Sequence, residues 1–147
     1  CFDGADEVDP NLDVIKGYGG AHVREKIVAA SSDRLVILVG SEKIVPVLGS
    51  RGKLPVEVLP FGEALCRESL RALGCEPEVR LASDGKPLVS DNGNTILDCK
   101  IAPIENAAEL ERAILAIPGV LGTGLFIGMA DAVIIQDGSE VEVKERA

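Results

Sequence analysis

Tryptophan is missing from this chain, and tyrosine, histidine and methionine occur once each. Aromatic residues make up 3% of the 147 positions, so the core has to be assembled from Val, Ile, Leu and Ala. With His22 as the single histidine, no Ser/His/Asp triad can be put together. Basic residues are scarce: 15 Lys and Arg stand against 24 Asp and Glu, for a net charge of −9. With a pI near 4.6, the chain lacks the basic face that nucleic-acid binding needs. An anionic substrate is not excluded, because a few local cations outweigh a distant negative surface at short range. The cysteines, Cys1, Cys66, Cys75 and Cys99, form no CxxC pair, and His22 is remote from all of them, which argues against zinc. Cys66 and Cys75 fall in or beside a predicted helix and read as small buried thiols, in keeping with a reduced cytoplasmic protein. There is no signal-peptide pattern and no long uncharged apolar run, so no membrane role is expected. An initiating methionine is also lacking. Only Cys1-Phe2 precedes an acidic motif that a strand would normally lead into, so the sequence reads as missing its natural N-terminus.

What is present is a globular balance, 46% hydrophobic and 27% charged, with room for one domain or two small ones. Residues 3–13 are loop-like, residues 12–16 short and extended, and Gly17, Gly19 and Gly20 form a loop before a helix over residues 21–30. The run from Arg34 to Gly40 predicts a strand of a parallel sheet buried on both faces. Residues 49–53 read as a Gly/Ser/basic linker. The middle then predicts a strand at 56–59 and a helix at 62–73 with Leu65, Ser69, Leu70 and Leu73 near one face. A strand at 76–82 follows, with Val79 and Leu81 on one side, then strand segments flanking the polar turn Asp91–Asn94. A helix at 107–117 and a strand at 120–127 complete a βαββαβ order, that of a split βαβ, ferredoxin-like unit. The tail predicts a buried strand at 132–135 and a hairpin turned at Asp137-Gly138. The expected organisation is therefore 1–53 and 129–147 as one domain, with 54–128 inserted.

The chemistry concentrates near the start. DGADEVD (3–9) gathers carboxylates, and KGYGGAHVREK (16–26) adds a lysine, a glycine loop and a helix bearing Glu25. Together they form an inventory for proton transfer on a small oxygenated substrate. On a helix Glu25 neighbours Ala21, His22, Val28 and Ala29, a mostly apolar face that raises a carboxyl pKa towards that of a working base. A rim glutamate or one paired with a lysine is the plainer reading. Lys16 could donate to a substrate oxygen beside the loop N–H groups, or be a solvated surface lysine. The glycine spacing matches neither a P-loop nor GxGxxG. Asp3, Asp6, Glu7 and Asp9 could bind Mg²⁺ or Ca²⁺, but the EF-hand pattern is not met. Asp91–Asn94 reads as a hairpin turn, Lys43 as a surface lysine that could contact phosphate, and His22 as a helix-surface or core residue.

The ordered motifs DGADEVD, KGYGGAHVREKIVA, KLPVEVLPF, SDNGNTILD and PGVLGTGLF together resemble the A-type ribose-5-phosphate isomerases, over nearly the whole chain. The resemblance implies an α/β fold, a Rossmann-like domain (partial here) with an inserted ferredoxin-like domain. It also implies interconversion of ribose 5-phosphate and ribulose 5-phosphate through an enediolate, with no metal or organic cofactor. Glu25 then matches the general base, and Lys16 the lysine steadying the enediolate oxygen. Asp3 and Asp6 match the aspartates that hold sugar hydroxyls and assist ring opening. Gly17, Gly19 and Gly20 match the loop lining the site, and Lys43 a lysine near the phosphate. Two departures stand out. Tyr18 interrupts a loop that is usually all glycine, where it could narrow the site or face solvent. The family's N-terminal segment, with its phosphate-gripping loop and first strands, is not in the sequence. A polypeptide of these 147 residues alone is thus expected to be weakly stable and poorly active, with an open sheet edge and exposed apolar surface. The family also implies a homodimer or homotetramer at full length. Two other readings remain: a non-catalytic sugar-phosphate-binding domain, and a Mg²⁺-dependent phosphotransferase using the acidic loop.

Overall fold

Runs of apolar residues with period two become strands here and those with period near four become helices. The structure, a computed structural model, describes residues 1–147. The first segment forms β1 (Phe2–Asp3), β2 (Glu7–Val8), β3 (Val14–Ile15), α1 (His22–Ala30) and β4 (Val36–Gly40). The middle forms β5 (Lys53–Val58), α2 (Glu63–Ala72), β6 (Glu76–Val79), β7 (Thr95–Lys100), α3 (Ala107–Leu115) and β8 (Val120–Thr123). The tail adds β9 (Leu125–Phe126), β10 (Ala132–Asp137) and β11 (Glu140–Glu145).

One sheet has the order β1-β4-β10-β11, with β4 parallel to both β1 and β10 and β11 closing it as an antiparallel hairpin partner. The chain turns into that hairpin at Gly138, which takes the positive φ of 60° that such a turn requires. Asp3 therefore ends a parallel strand, the position from which open α/β sheets present ligand-binding groups. A second, antiparallel sheet has the order β6-β7-β5-β8. With α2 and α3 it follows the βαββαβ order read from the sequence. A small third sheet, β2-β3-β9, joins them.

The core is in two clusters. Ile37, Val133 and Ile135 of the parallel sheet pack with Val8, Val14 and Phe126. The second cluster fills the space between the β5–β8 sheet and its helices and takes in Ile15, Val45 and Leu48 from the first segment. The first segment and the βαββαβ unit are thus tied by shared apolar burial. Glu7, fully buried, adds a polar tie: its carboxylate accepts the N–H groups of Gly49 and Arg51, each at 2.6 Å. The stretch read as a linker is a turn folded onto that carboxylate.

Several sequence expectations are corrected. The run ending at Gly40 is a parallel strand, but only one face is buried. Ile37 faces the core, whereas Leu38 is 46% exposed and lies in register with Ile134 and Val143 on an uncovered face. The inward stripe of α2 is Cys66 and Leu70, one turn apart, while Leu65 and Leu73 face outward. Leu81 is exposed and only bridges to Pro87, because β6 ends at Val79. The strand expected at 120–127 is two strands in two sheets. Gly124 is the crossing point: its N–H donates to the Pro55 carbonyl and its carbonyl accepts the Lys16 N–H, both at 2.8 Å.

A methyl group added at Gly124 would collide with the Lys16 carbonyl and press on Pro55. Gly124→Ala is expected to lower unfolding stability by about 1–3 kcal/mol in urea titrations. Gly19→Ala, where an added carbon meets nothing, should stay within about 0.5 kcal/mol of the parent. Equal losses at the two positions would contradict the close packing at the crossing.

Candidate active site

Lys16 follows β3, whose Val14 and Ile15 are both fully buried, and it is itself only 3% exposed. A buried ammonium needs partners, since desolvation otherwise costs several kcal/mol. Three elements supply them. Asp3, at the end of β1, places Oδ2 3.1 Å from Lys16 Nζ. Glu25, in the first turn of α1, places Oε1 at 3.4 Å. The Gly4 carbonyl accepts a further hydrogen bond from the same ammonium. The Phe126 ring lies 5.8 Å from Nζ, giving the cation an apolar floor.

These groups open onto a cleft of about 240 Å³, walled by Asp3, Gly4, Ala5 and Asp6 on one side and Lys16, Gly17, Gly19 and Glu25 on the other. The four charged residues singled out in the sequence thus meet in one cavity. Burial pushes the Glu25 carboxyl above its ordinary value of 4.5, while the Lys16 ammonium beside it pulls the other way. A carboxylate raised in this way is a stronger base than a solvated one. The helix carrying it is pinned from its other side, because Lys26 Nζ donates to Glu111 at 2.8 Å and to the Leu125 carbonyl at 2.6 Å. Of the helix-face neighbours read from the sequence, His22 and Ala29 are buried, whereas Val28 is 55% exposed.

The glycines divide by role. Gly17 has a φ of 104° and lies against His22, where any Cβ would meet the imidazole. Gly19 is open and lines the cleft. Gly20, expected among the lining residues, instead closes the turn, its N–H donating to the Gly17 carbonyl at 2.9 Å, and sits against Ile96 and Arg80. Lys43 ends a 3-10 turn, Ser41–Lys43, after β4 and is also outside the cleft lining.

Tyr18 neither narrows the site nor faces solvent. Its backbone N–H donates to Asp6 Oδ2 at 3.0 Å, which orients that carboxylate, and its ring packs against the second core cluster. Lys53 Nζ lies 4.6 Å over the ring, and burial pushes the phenol up to about 12. His22 is fully buried, with its pKa lowered by desolvation to about 4, and it lies outside the cleft lining. The turn at Asp91–Asn94 is a turn as read, with Gly93 at a φ of 80°. It has an unforeseen second use: Ser90, Asn92 and Asn94 all donate to Oε1 of buried Glu57. Arg24 donates to Asn92 Oδ1 and to the Asp91 carbonyl, which ties this turn to α1.

Sequence reasoning missed Gly4 and Ala5 as cleft residues and Arg80 as the partner of the glycine loop. The first two sit inside the acidic motif itself. Arg80 had no local signal, because only the pairing of distant segments brings it to residues 17 and 18. No group of three or more His, Cys, Asp or Glu side chains is arranged to hold a metal ion, and no helix is long and apolar enough to cross a membrane. A larger hollow of about 470 Å³, between the turn after α2, residues 101–106 and α3, is lined by no lysine or arginine and shares no residue with the cleft.

Comparison with known proteins points the same way. The family model for ribose 5-phosphate isomerase A (phosphoriboisomerase A) matches residues 1–140. A ribose-5-phosphate isomerase A of Gloeobacter violaceus is 54% identical over 143 residues, 97% of this chain and 62% of that protein. A solved D-ribose-5-phosphate isomerase in complex with phospho-erythronic acid superposes with a TM-score of 0.94 at 37% identity, covering 99% of this chain and 64% of that one. The ribose 5-phosphate isomerase A of Methanocaldococcus jannaschii gives 0.92 at 38% identity, covering 98% and 64%. The chain therefore spans less than two thirds of the length of the relatives it matches.

The opposing influences on Glu25 can be separated by titration. Its raised pKa means the folded state keeps the proton at pH values where the unfolded chain has lost it. Its contribution to stability therefore falls as pH rises through that window. Lys16→Met removes the lowering influence, so carbon-13 NMR of the Glu25 carboxyl should show a further upward shift. An unchanged or lower value would contradict the pairing.

Proposed function

The chain belongs to the ribose 5-phosphate isomerase A family, and on that premise we propose that it contributes the catalytic centre of an isomerase interconverting ribose 5-phosphate and ribulose 5-phosphate. The observation that carries this reading is the convergence of Glu25, Lys16, Asp3 and Asp6 on one cleft. Aldose–ketose isomerisation moves a proton between adjacent carbons while negative charge collects on oxygen. It needs a base beside the carbon and a cation beside the oxygen, held a few ångströms apart.

Glu25 takes the proton from C2 of the open-chain sugar and returns it at C1. Lys16 stabilises the enediolate oxygen that forms between those steps, a contribution of the kind worth roughly 3–4 kcal/mol for one well-aimed donor. Asp3 and Asp6 accept hydrogen bonds from sugar hydroxyls, and Asp3 assists ring opening by taking up the C1 hydroxyl proton and returning it to the ring oxygen as the C1–O bond breaks. Tyr18 N–H on Asp6 and Gly4 N–H on Asp3 hold the two carboxylates in place, at 3.0 and 2.8 Å. Lys16 is the only cation among the eight cleft residues, so the phosphate belongs outside that lining, and Lys43 is the proposed contact. The D-ribose-5-phosphate isomerase solved with phospho-erythronic acid, a phosphorylated sugar acid, supports a pocket of this chemistry. The reaction draws on acid, base and ammonium groups of the chain and needs no cofactor.

The inserted unit is taken as 54–128, the remainder forming the Rossmann-like part. We place the protein in the cytoplasm, as a homodimer or homotetramer at full length. A purely sugar-phosphate-binding role would leave a desolvated base paired with a buried ammonium without a task, so catalysis is preferred.

Glu25→Gln keeps the shape and removes the base. In the full-length protein it is expected to lower turnover of ribose 5-phosphate by about 10²–10⁴-fold, with the melting temperature little changed. Parental turnover in that variant would overturn the assignment. Isomerisation abolished by EDTA would favour the metal-dependent alternative.

A further inference from the structure

Arg80 lies one residue beyond β6, and Asp98 lies in β7; neither lines the cleft. Their side chains are 11% and 20% exposed and make a two-pronged contact. Arg80 Nε donates to Asp98 Oδ2 at 2.8 Å and Nη2 to Oδ1 at 2.6 Å. The fork is aimed at the glycine loop. Nη1 donates to the Tyr18 carbonyl at 2.9 Å and Nη2 to the Gly17 carbonyl at 3.0 Å. Lys53 steadies the pair from behind, with Nζ 3.5 Å from Asp98 and 4.6 Å over the Tyr18 ring.

Peptide planarity turns this into a statement about the cleft. In a trans peptide the carbonyl and the following N–H point in opposite directions, and the chain has no cis bonds. The Gly17 carbonyl faces Arg80, so the Tyr18 N–H faces away, where it finds Asp6. The Tyr18 carbonyl also faces Arg80, so the Gly19 N–H faces away too. Gly19 lines the cleft, and its N–H donates to no group of the protein.

We propose that Arg80, held by Asp98, is a positioning residue of this site: it fixes the two peptide planes so that the Gly19 N–H is offered as a donor to an oxygen of the bound sugar phosphate. The proposal rests on the isomerase reading above. A buried Arg–Asp pair serving only the sheet would not direct two donors at carbonyls of a loop in another part of the chain. Lysine cannot replace the fork, because a single ammonium lacks its planar, two-directional geometry.

The test is Arg80→Lys in the full-length protein, which keeps the charge and loses the fork. The expected result is a fall of about tenfold or more in kcat for ribose 5-phosphate, as for loss of an oxyanion donor. KM should change by less than about threefold, the pattern of an interaction made mainly in the transition state. Amide hydrogen exchange at Tyr18 and Gly20, whose N–H groups donate to Asp6 and to the Gly17 carbonyl, should quicken. Combining Arg80→Lys with Asp98→Asn should cost no more than Arg80→Lys alone, because Asp98 acts through Arg80. A lower melting temperature with parental kcat and unchanged exchange at residues 18 and 20 would mark a structural pair and overturn the proposal. If the parent protein showed no isomerase activity, the functional reading would fall. The exchange measurement would still decide the inference: quickened at Tyr18 and Gly20 it supports the fixed planes, unchanged it overturns them.

Discussion

The Lys16 ammonium is the cation around which this molecule is arranged. It is nearly excluded from solvent and compensated by Asp3, Glu25 and the Gly4 carbonyl, which come from the end of β1, the first turn of α1 and the loop after β1. A buried charge tolerates few alternative geometries, because every displacement leaves it under-compensated. The requirement to satisfy one ammonium therefore fixes how a strand end, a helix and a loop sit relative to one another. Lys16 is itself held through its backbone, whose N–H reaches the Gly124 carbonyl at the point where the chain passes from β8 to β9.

That arrangement also sets the reactivity. Burial raises the Glu25 carboxyl and Lys16 restrains it, which leaves a carboxylate more basic than a solvated one. In the proposed isomerisation, charge would move from Glu25 to a substrate oxygen beside the same ammonium. Little reorganisation would then be needed as the enediolate forms, which is where preorganised electrostatics is worth most. The βαββαβ unit takes part without lining the cleft. It supplies Arg80 to the glycine loop, Glu111 to Lys26 on the helix bearing the base, and the Asn92 turn to Arg24.

The chain announces its chemistry more readily than its packing. Lys16, the glycines and Glu25 fall within ten consecutive residues and supply an inventory for proton transfer, while their meeting with Asp3 and Asp6 in one site was what the family resemblance implied. The parallel strand ending at Gly40 and the order of the inserted unit were equally legible, because both rest on local pattern. What escaped was decided by distant partners. Tyr18 turns inward because Lys53 and the second core cluster receive its ring. Gly20 closes a turn against Arg80 and Ile96, a role that sequence spacing could not separate from that of Gly19. Leu38 is apolar like its neighbours, and only the sheet register shows that its face is uncovered. The Arg80–Asp98 fork became visible only once β6 and β7 were paired.

The central claim is that Glu25 carries a proton between adjacent carbons while Lys16 holds the oxygen. Glu25 is 29% exposed at its side chain, so solvent has access to the carboxyl that would hold the proton while the enediolate stands. The most direct measurement is the isomerisation of ribose 5-phosphate in D₂O by the full-length protein, with deuterium at C1 of the ribulose 5-phosphate read by NMR. The account predicts solvent-derived deuterium at C1 in the earliest product. Turnover and deuterium incorporation at C1 that persist at the parental rate in Glu25→Gln would contradict it, because the proton would then be carried by another group.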